Sequence, residues 1–283
     1  MVTRTVQLFI TPTPGLRLNA RVDALRRALE GEGMRVIVTR SGFDPPAIDR
    51  SADHVCAVGG DGTLRYVVDA TRALDRPIDV SVYPAGTVNL VAMEYAYARA
   101  PGAFATRVAR NVPTKHHLAS VNQVPLLCCA SIGPDSYAVK AVSPRLKRWF
   151  GRLAYVLAFL TILVRWPRTT LILQHDGATI ACEAVYIVKG RYYAGRWSIV
   201  PEARGSEPSL HVVALPTASR LDFLRFAWAI ARRRVQDLPG VHRFTCDMLT
   251  IDGDPAIPVQ SDGDVLTHLP ATARIEPDFV RFA

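Results

Sequence analysis

Short apolar runs alternate with amphipathic stretches through the first hundred residues. Residues 6–10, 34–39, 54–58 and 80–83 are rich in Val, Ile and Leu. Runs of that length between turn residues have the pattern of buried parallel strands. Residues 18–29 carry Leu25 and Leu29 among their apolar positions and end at Gly31 and Gly33. Residues 64–74 place Leu64, Val67, Val68 and Thr71 at helical spacing, and residues 90–98 read as helix too. Pro12, Thr13, Pro14 and Gly15 are expected to form the first turn. A strand–helix–strand rhythm of this kind predicts a doubly wound parallel sheet.

From about residue 118 the texture changes. Strand-like runs recur at 126–132, 170–175, 179–188, 209–215, 244–251 and 273–276, with turns such as Asp176-Gly177 and Asp252-Gly253 separating some of them. Helical stretches interrupt at 145–164 and 219–234. The fold class read from this is α/β: a parallel-sheet domain over residues 1–117, then a β-rich, sandwich-like domain over residues 118–283. Within the first insertion, residues 153–164 are uncharged with Arg on both sides. A membrane-spanning helix needs about twenty apolar residues, so this one is too short to cross. It reads as a buried helix or as one wall of an acyl-chain pocket.

Chemistry enters where the strand at 54–58 ends. Gly59, Gly60, Asp61, Gly62 and Thr63 lie between that strand and the next helix. Glycine lets backbone N–H groups approach an anion closely, and a helix start adds partial positive charge. Thr63 is placed to cap the helix. Asp61 sets a carboxylate where a phosphate would sit, which suits a metal ion or a hydroxyl proton. A second strand end, at Pro84, leads into Ala85, Gly86, Thr87, Val88 and Asn89. Carboxyl ends of parallel strands line one crevice, and Thr87 and Asn89 are expected to reach a nucleotide there.

Charge and composition narrow the partners. The 283 residues carry a net charge of +9, with 49% hydrophobic and 21% charged positions, the profile of a globular protein large enough for a core. The positive balance favours an anionic partner. Basic residues cluster at 145–152, 165–168 and 232–234. No recognised nucleic-acid-binding module surrounds them, so nucleic acid is not expected and an anionic membrane surface is. Cys56, Cys128, Cys129, Cys182 and Cys246 form no Cys-x-x-Cys pair and read as buried free thiols in a reducing compartment. Nothing at the start reads as a secretion signal, because Arg4 and Gln7 interrupt the first apolar run. The expected location is the cytoplasm, with peripheral contact at the inner face of the membrane. His116, His117 and His175-Asp176 match no familiar metal-site spacing, so no protein metal site is expected.

The Gly-Gly-Asp-Gly-Thr segment together with Pro84-x-Gly-Thr-x-Asn89 resembles the diacylglycerol kinase catalytic domain family, which includes bacterial lipid kinases and sphingosine kinases. The resemblance runs along nearly the whole chain. Ser131-Ile132-Gly133-Pro134-Asp135, the stretch 146–155 and Val259-Gln260-Ser261-Asp262-Gly263-Asp264 are similar to further family segments in the same order. The resemblance implies an ATP-dependent lipid kinase that transfers the γ-phosphate to the hydroxyl of a membrane lipid alcohol such as diacylglycerol. It makes residues 1–117 the nucleotide-binding domain and residues 118–283 the lipid-substrate domain. Nucleotide is then held by Thr39, Gly59, Gly60, Asp61, Gly62, Thr63, Arg65, Gly86, Thr87 and Asn89, with Mg2+ accompanying ATP.

The proton acceptor implied by that family is Asp264. Sphingosine kinases instead suggest Asp61, and both fit if Asp61 orients the hydroxyl or the metal. Several positions depart from the family. The opening Asn-Pro is Thr11-Pro12, the Asn after the glycine turn is Arg65, and a Glu is shortened to Asp264. The family's structural magnesium loop is matched by residues 205–210, where Glu207 is the one carboxylate and Arg204 precedes it. A structural ion is doubtful there. Two other readings stay open: a catalytically weak or inactive nucleotide-binding regulatory module, and a soluble-substrate kinase of the NAD kinase type.

Overall fold

The computed structural model describes residues 4–10, 16–40, 47–142 and 160–283. The turn expected at 12–15, the basic cluster at 145–152 and residues 153–159 of the apolar stretch lie outside them. Residues 160–164 are helical. The chain divides into two compact units, residues 1–117 with 278–283, and residues 118–277.

The first unit is built on parallel strands. β1 (Thr5–Ile10) pairs on one side with β2 (Arg35–Arg40) and on the other with β3 (His54–Gly59), which pairs with β4 (Asp79–Pro84). The end of the chain's last strand, β16 (Ala271–Phe282), runs parallel to β4 through Arg281 and Phe282. β1, β3 and β4 are buried throughout, as both-face-covered parallel strands should be. β2, at the edge, is half exposed. Helix α1 (Leu16–Gly31) joins β1 to β2 and α2 (Asp61–Arg72) joins β3 to β4. α1 ends where Gly33 takes φ +80°, a conformation suited to glycine. After β4, α3 (Leu90–Glu94) is shorter than the pattern at 90–98 implied. Ala96 turns into positive φ, and α4 (Pro101–Arg110) begins soon after with proline in its first turn.

The second unit is an antiparallel sandwich. One sheet has the order β12 (His242–Cys246), β11 (Leu210–Leu215), β10 (Ala184–Val188), β7 (Cys129–Ile132), β14 (Pro258–Ser261), β15 (Asp264–His268). Facing it are β9 (Ala178–Cys182), β8 (Leu171–His175), β13 (Met248–Gly253) and the first residues of β16, with β5 (Thr114–Val121) and β6 (Val124–Leu126) alongside. Side chains alternate across β10. Val185 and Ile187 enter the core between the sheets, whereas Ala184, Tyr186 and Val188 enter a second core. That second core is closed by Phe226 and Ile230 of helix α6 (Arg220–Ala231). Between β7 and α6 in sequence stands α5 (Pro134–Ala141). The fold is therefore a parallel α/β unit and an antiparallel β-sandwich unit, the class expected from the sequence.

Three apolar runs that read as single strands are each broken in two. The run 126–132 is interrupted at Leu127-Cys128, 179–188 at Glu183 and 244–251 at Asp247. In all three cases the chain leaves one sheet and enters the other, a change that apolar content alone does not reveal. Asp176-Gly177 does make the β8–β9 hairpin, with both residues at positive φ. Asp252-Gly253 does not turn. It pairs with Ile172 and Leu171 inside β13.

Candidate active site

In the first unit the chain leaves β1 toward β2 on one side and then crosses to β3 on the other. The carboxyl ends of β1 and β3 thus form a topological switch point, the place where open α/β sheets bind ligands. Strand register brings the expected residues to this edge. Thr39 pairs with Phe9, Phe9 with Ala57, and Gly59 with Pro84. Thr39, the 59–63 turn and the 86–89 loop therefore share one sheet edge.

Each of these groups is held by specific bonds. Gln7, buried in β1, donates its amide to the Thr39 hydroxyl at 3.0 Å and accepts the Asp49 N–H at 2.8 Å. α2 starts at Asp61, three residues earlier than the pattern suggested, so Gly60 and not Thr63 is the N-cap. Gly60 has no side chain with which to occupy the N–H groups of the first turn, and an uncapped helix start of this kind suits an anion. Thr63 and Thr87 are half-buried, and Arg65 is buried on α2. Arg21 reaches the same edge from α1, donating to the Pro84 carbonyl at 3.2 Å with its guanidinium over the Tyr83 ring.

The glycines serve loop packing more directly than the sequence suggested. A Cβ on Gly59 would collide with the Thr63 hydroxyl, and one on Gly86 would stand 2.5 Å from the Gly60 Cα. Both Ala85 and Gly86 donate N–H groups to the Gly59 carbonyl, at 2.9 and 3.0 Å. Asn89 closes its own loop, accepting the Gly86 N–H at 2.9 Å and donating to the Gly86 carbonyl at 2.8 Å.

Asp61 fastens the two loops together. Its carboxylate accepts the Leu90 N–H at 2.8 Å on one oxygen and the Val91 N–H at 3.0 Å on the other. The side chain is buried, and charge-assisted bonds of this type are strong. The carboxylate that the sequence suggested for a metal or a proton thus engages two backbone N–H groups. It ties the start of α2 to the start of α3.

In the second unit, Asp262 and Gly263 make the turn of the β14–β15 hairpin, both at positive φ. Asp262 is buried, and its carboxylate accepts three backbone N–H groups, from Leu127 at 2.9 Å, Cys128 at 2.8 Å and Cys129 at 3.1 Å. Those bonds explain the break between β6 and β7, because the N–H groups go to a side chain and not to a neighbouring strand. Asp264 follows the turn, half exposed at the start of β15. Gln260 braces the turn, accepting the Gly263 N–H at 3.0 Å and donating to the Ser131 hydroxyl at 2.9 Å. Ser131 in turn donates to Asp135, whose carboxyl burial pushes above the usual carboxylate range. The sequence reading did not single out Gln260 or Gln7 for a role. The signal available was a lone amide inside a buried strand.

The loop resembling a structural magnesium site tells a clear story. Lys189 is fully buried at the end of β10, and its Nζ donates to the Gly205 carbonyl at 2.8 Å and the Glu207 carbonyl at 2.6 Å. Glu207 turns its carboxylate to His211, 3.1 Å away. Backbone oxygens available to an ion are thus engaged by a side-chain cation, and the donor set does not fit a divalent metal. A lysine closing an otherwise apolar strand was the sequence signal.

The description "diacylglycerol kinase catalytic domain" fits residues 17–121, and "YegS C-terminal NAD kinase beta sandwich-like domain" fits residues 129–283. A protein of Bacillus subtilis named diacylglycerol kinase is 26% identical over 187 residues, 63% of this chain and 60% of that protein's own length. A Pseudomonas fluorescens protein named probable lipid kinase YegS-like is 28% identical over 216 residues, covering 72% of this chain and 70% of its own. Among solved structures, that of a diacylglycerol kinase from Bacillus anthracis superposes with a TM-score of 0.78 at 16% identity, over 97% of this chain and 95% of the other. That likeness speaks for the fold. Matched in both of its units, the chain belongs to the kinase family defined by the diacylglycerol kinase catalytic domain and the YegS C-terminal domain.

Proposed function

We propose that this protein is an ATP-dependent lipid kinase that transfers the γ-phosphate to the hydroxyl of a membrane lipid alcohol of the diacylglycerol type. The observation that carries the reading is the switch-point edge of the first unit. There two loops bearing the family motifs are knitted together by Asp61, beside an uncapped helix start. Phosphoryl transfer demands positioning and charge stabilisation more than covalent chemistry, and this edge is built for positioning.

In this reading the first-turn N–H groups of α2, with Gly59, Gly60, Gly62 and Thr63, hold the phosphates of ATP. Thr39, Arg65, Gly86, Thr87 and Asn89 complete the binding surface. A magnesium ion bound with the nucleotide would supply charge neutralisation. Asp264 accepts the proton of the acceptor hydroxyl, while Asp262 and Gln260 fix the hairpin that presents it. The substrate lies in a membrane, so the protein works as a peripheral enzyme on an anionic surface at the cytoplasmic face. Among the described residues no helix is long and apolar enough to cross a bilayer.

The test is incubation with radiolabelled ATP and a panel of lipid alcohols in mixed micelles. Labelled phospholipid product is the expected result. Tight ATP binding with no labelled lipid would overturn the reading and favour a regulatory module.

A further inference from the structure

Helix α6 has two apolar faces, and the fold needs one of them. Phe226, Ala229 and Ile230 face inward and close a core of the second unit. Leu221, Leu224 and Trp228 fall on the opposite face at helical spacing, and they are 56%, 53% and 65% exposed. An isolated exposed leucine needs no explanation, whereas a row of three ending in tryptophan does.

A second segment is fastened beside this helix. Arg220 donates to the carbonyls of Leu163 at 2.8 Å and Val164 at 3.2 Å. Trp166 donates its indole N–H to the Ala218 carbonyl at 2.7 Å and packs edge-on against Phe223. The fastened segment also exposes apolar side chains, Leu160 and Val164. Two helical segments thus present bulky apolar residues to solvent from one tied pair of elements.

The surrounding charge is basic. Arg165, Arg220, Arg225, Arg232 and Arg233 are exposed, and the Arg232 guanidinium lies over the Trp228 ring, 5.7 Å from its centroid. The acids nearby are already engaged. Asp222 caps its own helix through Ser219, 3.6 Å from Arg225, and Asp237 pairs with Arg234. Leucine and tryptophan on a helix flanked by arginines match the composition of helices that lie in the headgroup region of an anionic bilayer. A water-facing helix would be expected to carry polar residues on this face.

We infer that the outer face of α6, with Leu221, Leu224 and Trp228 as apolar anchors and Arg225 and Arg232 as headgroup contacts, is the surface by which this protein docks on an anionic phospholipid membrane. The inference rests on the lipid-kinase reading for its biological sense, and it can be tested without any kinase assay.

The experiment is cosedimentation of the full chain with vesicles of phosphatidylcholine alone or mixed with phosphatidylglycerol. The wild-type protein should pellet with the anionic vesicles at low salt and be released as salt rises, because screening weakens exposed charge contacts. A Leu224→Ala, Trp228→Ala double variant should bind anionic vesicles at least about tenfold more weakly, since each truncation removes insertable apolar area. Arg225→Glu with Arg232→Glu should weaken binding similarly and flatten its salt dependence. Both variants should keep the wild-type melting temperature, because these side chains lie outside the core. Undiminished vesicle binding by the folded variants would overturn the proposal, as would a wild-type protein that ignores anionic vesicles. A wild-type dimer that the leucine–tryptophan variant converts to monomer would reassign the face to self-association. If vesicle binding behaves as expected while no lipid alcohol is phosphorylated in micelles, the docking surface stands and the kinase reading falls.

Discussion

The backbones of Gly60 and Gly86 touch: a Cβ built on Gly86 would stand 2.5 Å from the Gly60 Cα and 2.8 Å from the Asn89 Oδ1. The reverse substitution is gentler, since a Cβ on Gly60 meets the Gly86 Cα at 3.3 Å. Backbone cannot move aside as a flexible side chain can, so the two substitutions separate in effect. Gly86→Ala should cost about 1–3 kcal/mol of stability, in the range of overpacked cores, and should remove nucleotide binding by prising the loops apart. Gly60→Ala should keep the fold and weaken ATP only partly. Urea melts with a nucleotide titration measure both. Equal ATP affinity in Gly86→Ala and wild type would place the nucleotide elsewhere.

The two aspartates of the β14–β15 hairpin should separate just as sharply. Asp262 accepts three buried N–H groups, and an amide in its place would turn an NH2 toward some of those donors. Asp262→Asn should therefore lose roughly 2–4 kcal/mol, given about 1.5–3 kcal/mol for hydrogen bonds to charged groups. Asp264→Asn should melt like wild type. As the proposed general base, its loss should lower turnover by about 10²–10⁴-fold with ATP affinity unchanged. Full activity in Asp264→Asn would remove it from the mechanism.

How much of this was legible in sequence differs between the two units. The strand–helix alternation of the first hundred residues translated directly, because parallel strands buried on both faces leave unbroken apolar runs such as residues 54–58. The crevice at the strands' carboxyl ends followed from the same rhythm, whereas the strand order that makes it a switch point did not. In the sandwich, apolar runs exceeded strands, since β9 and β10, or β12 and β13, belong to different sheets although one run covers each pair. A crossing between sheets depends on long-range partners, such as the Leu215 carbonyl that receives the Glu183 N–H at 2.9 Å. The motif residues are legible in sequence, but the bonds that hold them are not. The carboxylates of Asp61 and Asp262 accept backbone N–H groups that lie 29 residues or more away in sequence.

Buried His54 sets a pH dependence. Arg4 donates to its Nδ1 at 3.2 Å, and because arginine has no acceptor the ring must carry its proton on Nε2, which faces the Ser81 hydroxyl at 2.6 Å. Burial, reinforced by the Arg4 charge, holds the ring's pKa down to about 3 from 6.5. The unfolded chain then binds the proton that the folded chain refuses, so stability is full above pH 6.5 and falls as pH drops toward 3. Between pH 6.5 and 5.5 the loss from this one ring should be about 1 kcal/mol. Chemical melts across that window should show a steeper decline for wild type than for His54→Gln. Parallel slopes would mean that His54 is protonated in the native state.

Lys189 makes the last expectation unusual for a kinase with this loop. Its ammonium binds the carbonyls of Gly205 and Glu207 from a fully buried position. Its backbone N–H donates to the Cys128 carbonyl at 2.7 Å, while the Cys128 N–H reaches Asp262. One residue thus links the 205–207 loop to the Leu127-Cys128 segment that anchors the β14–β15 hairpin. An internal cation needs no supply from solvent, so without nucleotide the wild-type melting temperature should be the same in EDTA as in millimolar magnesium. Lys189→Met keeps the apolar stem but removes both donors. It should lower stability by about 2–4 kcal/mol, as expected for loss of buried charge-assisted bonds, and added magnesium should not restore it, because Glu207 is turned to His211. A wild-type melting temperature that climbs with magnesium alone would show a divalent ion in the loop after all. Rescue of Lys189→Met by magnesium would show that the loop retains a metal's donor set, and that the lysine displaces an ion the chain is still able to bind.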